Sequence, residues 1–491
     1  MRPLELLFLL VGIAYLLWLC CGTGLPESPF HWLAFAAAML GLAHLWFEGY
    51  RWHMLPGYAF LLLILLFYPW CSAHDFRIRL SYSALAWAVG VVLVGSTCVL
   101  AGILYPVFAF VPLTGPHAVG TFALHLIDSS HGDPYAGDAS ARRELMVQFW
   151  YPAERARGRK RARYRDGRRD SRRTSNLPLV KTRSFLNAPV LREQKEFPVL
   201  IFTGPNHRFQ NTFQTEELAS HGFLVVGLDH PYGSDRVTFP DGRVIRRRKE
   251  NVFLDFRTDE TLADSVREVE GELAVRAADV EFVIAELGRW QSSRAANPLA
   301  GRVDLSRIGI LGHSFGGAVA AEVCLRNPSV RAGINMDGWM FGDSAREGIP
   351  QPFFFMADCT PMPAAHTLSP KNDNQTRAVT RTIQGYQEIE NSLNRHGGYY
   401  LQTAGLEHMN YSDYPLYSRM KSKTGAGRAD IRRAHRMVNR LSVAFFKTYL
   451  LQHSEGALIR AAAEFPEANF RKVPAMAMPA GSVFEEVSRR I

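Results

Sequence analysis

The chain of 491 residues is long enough for more than one folding unit, and 47% of it is hydrophobic. Its six cysteines follow no metal-ligand or framework spacing, which excludes a disulfide scaffold and a zinc module. The formal charge of +10 is largely local: residues 155–173 hold eleven Lys or Arg against Asp166 and Asp170, with no nucleic-acid-binding motif, so no nucleic-acid partner is expected.

Residues 1–112 carry four apolar runs, 4–21, 30–47, 55–71 and 85–110. A membrane-spanning helix needs about 20 apolar residues, within a range of about 17–25, so the runs predict a bundle of about four transmembrane helices. The joints, 22–29, 48–53 and 72–81, hold the turn and polar residues. No small-residue cleavage site follows the first run, which argues against a cleaved signal peptide. Positive residues divide two against two, Arg2 and Arg51 on one side and Arg77 and Arg79 on the other. Weighting Arg77 and Arg79 places the rest of the chain outside the cytoplasm. The runs read as free of intramembrane charge, which favours an anchor over a transport path. A multi-pass cell-membrane protein is therefore the expectation.

Residues 115–455 read as a catalytic domain and 456–491 as a C-terminal tail. Residues 120–128 and 144–151 predict two antiparallel strands. The basic insertion, 154–183, follows. It reads as a solvated loop, or as a patch for anionic lipid headgroups at roughly 1 kcal/mol per basic residue. Residues 197–203 and 223–229 are buried strands with a helix closing at 215–221 between them, and 231–250 is a polar excursion. Helical periodicity runs from 259 to 287. Strands then follow at 307–311, 330–337, 352–358 and 399–404, with helices at 318–325, 386–393 and 431–451. Continuous apolar strands alternating with helices predict a mostly parallel sheet covered on both faces.

The chemistry centres on Gly312-His313-Ser314-Phe315-Gly316-Gly317, between an apolar strand and a helix. In that context G-x-S-x-G is a nucleophile elbow, and the fold it implies is the α/β-hydrolase fold. A serine hydroxyl needs a base within reach, and the base needs an acid to orient it, in the chain order Ser, acid, His. His408, in the loop after the last strand, is the candidate base. Asp337 and Asp358 each end a strand after the elbow, and the residues alone leave both open as the acid. The oxyanion hole requires two backbone N–H donors. Phe315 and Asn206 are the candidates, with His207 able to orient the loop after the 197–203 strand. His221, His230 and His313 read as structural, and His396 and His435 as surface residues. No metal or other cofactor is expected. The general class is acyl transfer on a carboxylic ester, with a non-catalytic membrane scaffold as the rival.

The elbow, then Met336-Asp337-Gly338-Trp339-Met340-Phe341, then His408 followed by Tyr411 and Asp413, resemble the plasma and type II platelet-activating-factor acetylhydrolases. Ala219-Ser220-His221-Gly222-Phe223 and Phe149-Trp150-Tyr151-Pro152 extend the likeness over about 115–450. The membrane runs resemble bacterial members of that family. The resemblance implies Asp337 as the acid and calcium-independent hydrolysis of phospholipids with short or oxidised sn-2 acyl chains. A general carboxylesterase or lipase acting on small soluble esters is the alternative. The expected partners are an ester or phospholipid substrate and a lipid bilayer. The family's Ser-His-Gly oxyanion loop is here Thr203-Gly204-Pro205-Asn206, and Pro205 has no N–H to donate.

Overall fold

The structure, a computed structural model, describes residues 3–21, 28–50, 52–73, 76–104, 106–138, 140–154, 158–165, 177–248, 262–292, 297–360 and 374–476. It divides into two compact units. One comprises 1–109 with 163–182 and 414–424, and the other comprises the remainder.

In the first unit the apolar runs form α1 (Pro3–Cys21), α2 (Ser28–Ala43), α3 (Leu55–Ala73) and α4 (Phe76–Leu104). A π turn, His44–Glu48, closes α2, and a 3-10 turn, Trp52–Met54, leads into α3. Phe8, Tyr15, Leu16, Phe60 and Ile64 point inward, while Leu10, Leu17, Trp32, Phe35, Trp46 and Leu66 are exposed. Apolar residues on every side leave no polar stripe to face water. Small residues allow close helix approach: a Cβ on Gly12 would lie 2.7 Å from the Phe60 ring. Among the described residues, no helix is long and apolar enough to cross a membrane. The side chains at 18–30 and 67–87 lie outside those described.

Three expectations, two for the apolar runs and one for the basic insertion, need correction. The joint 72–81 is already helical from Phe76, because nothing in Phe76–Leu104 breaks the helix, and the fourth run stops at Leu104 rather than 110. The runs are not free of ionisable groups, since Glu5 sits in α1 and is fully buried. The insertion 154–183 is not wholly solvated. Arg161–Arg163 is a short strand, and Tyr164 is buried against Phe108, its hydroxyl 2.6 Å from that of Tyr417. Residues 155–157 and 166–176 of that insertion lie outside the described ones.

Strands, numbered along the chain, are β1 (Ala118–Gly132), β2 (Arg142–Ala153), β3 (Arg161–Arg163), β4 (Lys181–Leu186), β5 (Phe197–Thr203), β6 (Leu224–Asp229), β7 (Arg236–Thr238), β8 (Val244–Arg246), β9 (Val303–His313), β10 (Val330–Met336), β11 (Phe353–Ala357), β12 (Gly398–Thr403) and β13 (Ala468–Val473). Helices beyond α4 are α5 (Thr212–Ser220), α6 (Leu262–Ser292), α7 (Phe315–Arg326), α8 (Gly342–Glu347), α9 (Asn374–His396), α10 (Lys421–Thr424), α11 (Ile431–Leu450) and α12 (Gly456–Ala463).

Among the described residues eleven strands form one sheet, in the order β13-β12-β11-β10-β9-β5-β6-β2-β1-β4-β3. The run from β6 through β5, β9, β10 and β11 to β12 is parallel, and β2 and β13 flank it antiparallel. Every residue of β5 and β6 is buried, as a strand covered on both faces requires. Alternation along β11 shows the two faces. Phe353 and Phe355 join the core formed with α6 and α7, whereas Phe354 between them meets Phe445 of α11. The excursion at 231–250 contains the β7–β8 hairpin. The tail expected at 456–491 is structured in its first part. There α12 packs on α11, and β13 pairs with β12 from Gly398↔Val473 to Thr403↔Ala468. Its short strand of charged and apolar residues carries too little periodicity to be read alone. Residues 477–491 lie outside the described ones.

Candidate active site

β9 ends at His313, and α7 begins at Phe315. Ser314 between them has φ 57° and ψ −128°, a backbone conformation that a side-chain-bearing residue rarely adopts. The turn is held by Ser314 N–H donating to Met336 O at 2.8 Å and by Gly317 N–H donating to Ser314 O at 2.8 Å. The flanking glycines are steric necessities. A Cβ on Gly312 would lie 1.9 Å from Gly316 O, and one on Gly316 would lie 2.1 Å from Thr203 O. Phe315 is thus the first residue of a helix whose N-terminal amides are available to an anion.

Asp337 follows β10 at φ 56° and is fixed by its N–H donating to Met356 O at 2.7 Å. Its Oδ2 lies 2.5 Å from His408 Nδ1, and its Oδ1 accepts the N–H of Asp358 at 2.8 Å. Both carboxylate oxygens are therefore engaged, one by the imidazole and one by the neighbouring strand end. With a carboxylate on Nδ1, the neutral ring carries its proton there and leaves Nε2 basic. Burial opposes a charged His408, but the hydrogen bond and charge of Asp337, aided by Asp358, outweigh it and raise its pKa above the ordinary value. Asp358 does not meet His408. Its side chain accepts from Thr360, and burial followed by the charge of Asp337 pushes its carboxyl upward.

Two residues outside the expected catalytic set support this loop. His313 is buried, and its Nε2 donates to the His408 carbonyl at 2.9 Å. Its Nδ1 accepts from Gln210 Nε2 at 3.1 Å. Burial, then the charge of His408, holds its pKa well below the ordinary value, so it stays neutral beside His408. Gln210 Oε1 in turn accepts the N–H groups of Asn206 at 3.0 Å and His207 at 3.3 Å. Asp413 closes the frame, accepting Thr212 N–H at 2.7 Å at the start of α5. Its role in joining the site is not marked locally, because the partners that connect it there, His313 at the end of β9 and Asp413, lie 103 residues and more along the chain.

The Gln210 contact bears on the expectation for Asn206. Its N–H donates to Gln210 Oε1 at 3.0 Å and its side chain accepts from Arg247. His207 stacks on Phe209 with ring centroids 4.9 Å apart, consistent with ordering that loop. His435, read as a surface residue, is buried against Phe213 at 3.8 Å, and burial lowers its pKa to about 4.

Ser314, Asp337, Asp358 and His408 line one cavity of about 390 Å³, walled by Phe315, Trp339, Phe341, Tyr386 and Ile389. Its floor is the end of β11, and α9 forms one side. Arg276 lies over the Phe315 ring at 5.0 Å, and Arg381 over the Phe341 ring at 4.6 Å, stiffening two aromatic walls. Among the described residues, the one cluster with metal-ligand spacing is Glu5, His44 and Glu48, which belongs to the helical unit.

Residues 173–460 match the family described as platelet-activating factor acetylhydrolase, isoform II. The chain is 26% identical over 306 residues to platelet-activating factor acetylhydrolase of Cavia porcellus, covering 55% of this chain and 61% of that one. It is 29% identical over 185 residues to the Bos taurus enzyme of the same name, covering 34% and 41%. It is 29% identical over 167 residues to a probable 1-alkyl-2-acetylglycerophosphocholine esterase of Arthroderma benhamiae, covering 32% and 36%. The matches thus span less than two thirds of these relatives' lengths. Among solved structures, a ferulic acid esterase from Streptomyces cinnamoneus superposes with a TM-score of 0.57 at 25% identity, over 74% of this chain and 99% of that one. The second unit therefore has the α/β-hydrolase fold, and the chain belongs to the platelet-activating factor acetylhydrolase, isoform II, family.

Proposed function

We propose that this chain is a serine esterase acting on carboxylic esters. The observation that carries the reading is the Asp337–His408 hydrogen bond on the wall of the same cavity that Ser314 lines from its positive-φ turn. Ser314 Oγ attacks the ester carbonyl carbon while His408 Nε2 takes its proton. Asp337 orients the ring and stabilises the imidazolium. The Phe315 N–H at the start of α7 donates to the oxyanion. Collapse expels the alcohol with the proton from His408. Water, deprotonated by His408, then releases the acid and restores Ser314.

Short or oxidised sn-2 acyl phospholipids are the substrates this reading favours, supported by family membership and by an apolar cavity sized for a small acyl group. The aromatic walls, Trp339, Phe341 and Tyr386, together with the likeness to a ferulic acid esterase, favour small aromatic esters as a second reading. The helical unit acts as a membrane anchor, with the catalytic serine outside the cytoplasm. The exposed Leu10, Leu17, Trp32, Phe35 and Leu66 support that anchor, since such faces are hidden from water in lipid.

A fluorophosphonate probe should label the wild type and not Ser314→Ala; an unlabelled wild type removes the enzyme reading. Rates across acyl lengths on phospholipids and on soluble aryl esters separate the two substrate readings. Protease access to the catalytic unit in sealed right-side-out vesicles tests the side of the membrane.

A further inference from the structure

We propose that one end of the helical unit binds a divalent transition-metal cation through Glu5, His44 and Glu48, with His53 beside them. The chain converges there three times. Glu5 lies in the first turn of α1, His44 and Glu48 are the two ends of the π turn closing α2, and His53 sits in the turn entering α3. One ligand atom from each of Glu5, His44 and Glu48 lies within 4.8 Å of the others. Glu5, His44 and His53 are 0% exposed, so this is an interior cluster and not a solvated acidic surface.

The individual contacts fit a coordination shell. His44 Nδ1 lies 3.0 Å from Glu48 Oε2, and its Nε2 lies 2.8 Å from the Tyr58 hydroxyl. A hydroxyl on the far nitrogen fixes the ring and its tautomer, as outer partners do for metal-binding imidazoles. Glu48 Oε1 accepts the N–H of Leu4 at 3.1 Å, which orients that carboxylate. His53 Nε2 lies 3.7 Å from Glu5 Oε1, beside the cluster but outside its shared ligand spacing. A dication held between the two carboxylates would offset their mutual repulsion. An imidazole with two carboxylates suits zinc, manganese or ferrous ions, whereas calcium and magnesium favour all-oxygen shells. The widened turn of a π helix is itself a frequent mark of a functional site.

The test uses the full chain in detergent, stripped with a chelator and titrated with Zn²⁺ alone. After desalting, elemental analysis should find about one zinc per chain, with a raised thermal midpoint. Binding should weaken at least tenfold in Glu48→Gln and in His44→Gln, and stay unchanged in His125→Gln. Cobalt in place of zinc should give the intense visible bands of a low-coordinate nitrogen–oxygen site, a readout on the wild type that needs no variant to fold. Absence of retained zinc, a cobalt spectrum of the hydrated ion, or equal retention by wild type and the Glu48→Gln/His44→Gln double variant overturns the proposal. A thermal midpoint that follows pH and ignores zinc assigns the cluster to plain histidine–carboxylate pairing and overturns it too.

Discussion

Asp337 and Asp358 end adjacent parallel strands, and their roles part through one backbone angle. At φ 56° Asp337 turns its carboxylate to His408, while Asp358 contributes its N–H to Asp337 Oδ1. Asp337→Asn should therefore lower kcat/KM on an activated ester by about 10³–10⁴-fold, the scale of losing a triad acid. Asp358→Asn should cost less than about tenfold, since it touches the imidazole only through its charge. A larger loss in Asp358→Asn than in Asp337→Asn would reverse the assignment. The pH profile provides a second reading of the pair. His408 must be neutral to act as base, and Asp337 raises its pKa, so activity should fall on the acid side with a midpoint above the ordinary histidine value. Residual activity of Asp337→Asn should show that limb moved to lower pH.

At the scale of elements, the site depends on how closely α7 meets the loop after β5. Gly316 faces the carbonyl of Thr203 with room for a hydrogen and no more. Gly316→Ala drives a methyl carbon into the backbone of Thr203 and Gly204, and backbone cannot rotate away as a side chain can. It should destabilise the fold by about 1–3 kcal/mol, the usual cost of overpacking, seen as a lowered thermal midpoint. Fluorophosphonate labelling should fall even in the fraction that remains folded. The same close approach explains why Gln210 matters: it ties the loop after β5 to His313 at the end of β9 and so to the carbonyl of His408.

For the whole molecule, buried histidines set the response to acid. Burial holds His230, His313 and His435 below the ordinary histidine value, His435 at about 4. The folded state then binds fewer protons than the unfolded chain, so stability is fully present above about pH 6.5 and is lost as pH falls towards these lower values. The thermal midpoint should drop between about pH 6.5 and about pH 4.5, and His435→Gln should flatten part of that slope. An unchanged slope would mean that carboxylates alone govern it. The helical unit makes a separate prediction. With large apolar side chains exposed along α1, α2 and α3, the chain should sediment with membranes and be released by detergent. Release by high salt or alkaline carbonate would instead indicate a peripheral attachment.

Much of this architecture is written in short-range pattern. The buried strands β5 and β6 are continuous apolar runs, and Gly312 of the elbow turn is required by the backbone of Gly316 four residues on. Such features are legible because sterics and periodicity act locally. Long-range geometry decided the rest. The pairing of His408 with Asp337 and not Asp358 needed the turn after β10, and the engagement of the Asn206 N–H needed Gln210. The strand β13 owes its conformation to pairing with β12 and not to its own composition. Glu5, passed over within an apolar run, acquires meaning only when α1, α2 and the turn before α3 bring His44, Glu48 and His53 to it. Neighbours in sequence shape the backbone where sterics and periodicity act locally, but partners across the fold determine a residue's charge, its hydrogen bonds and hence its chemistry.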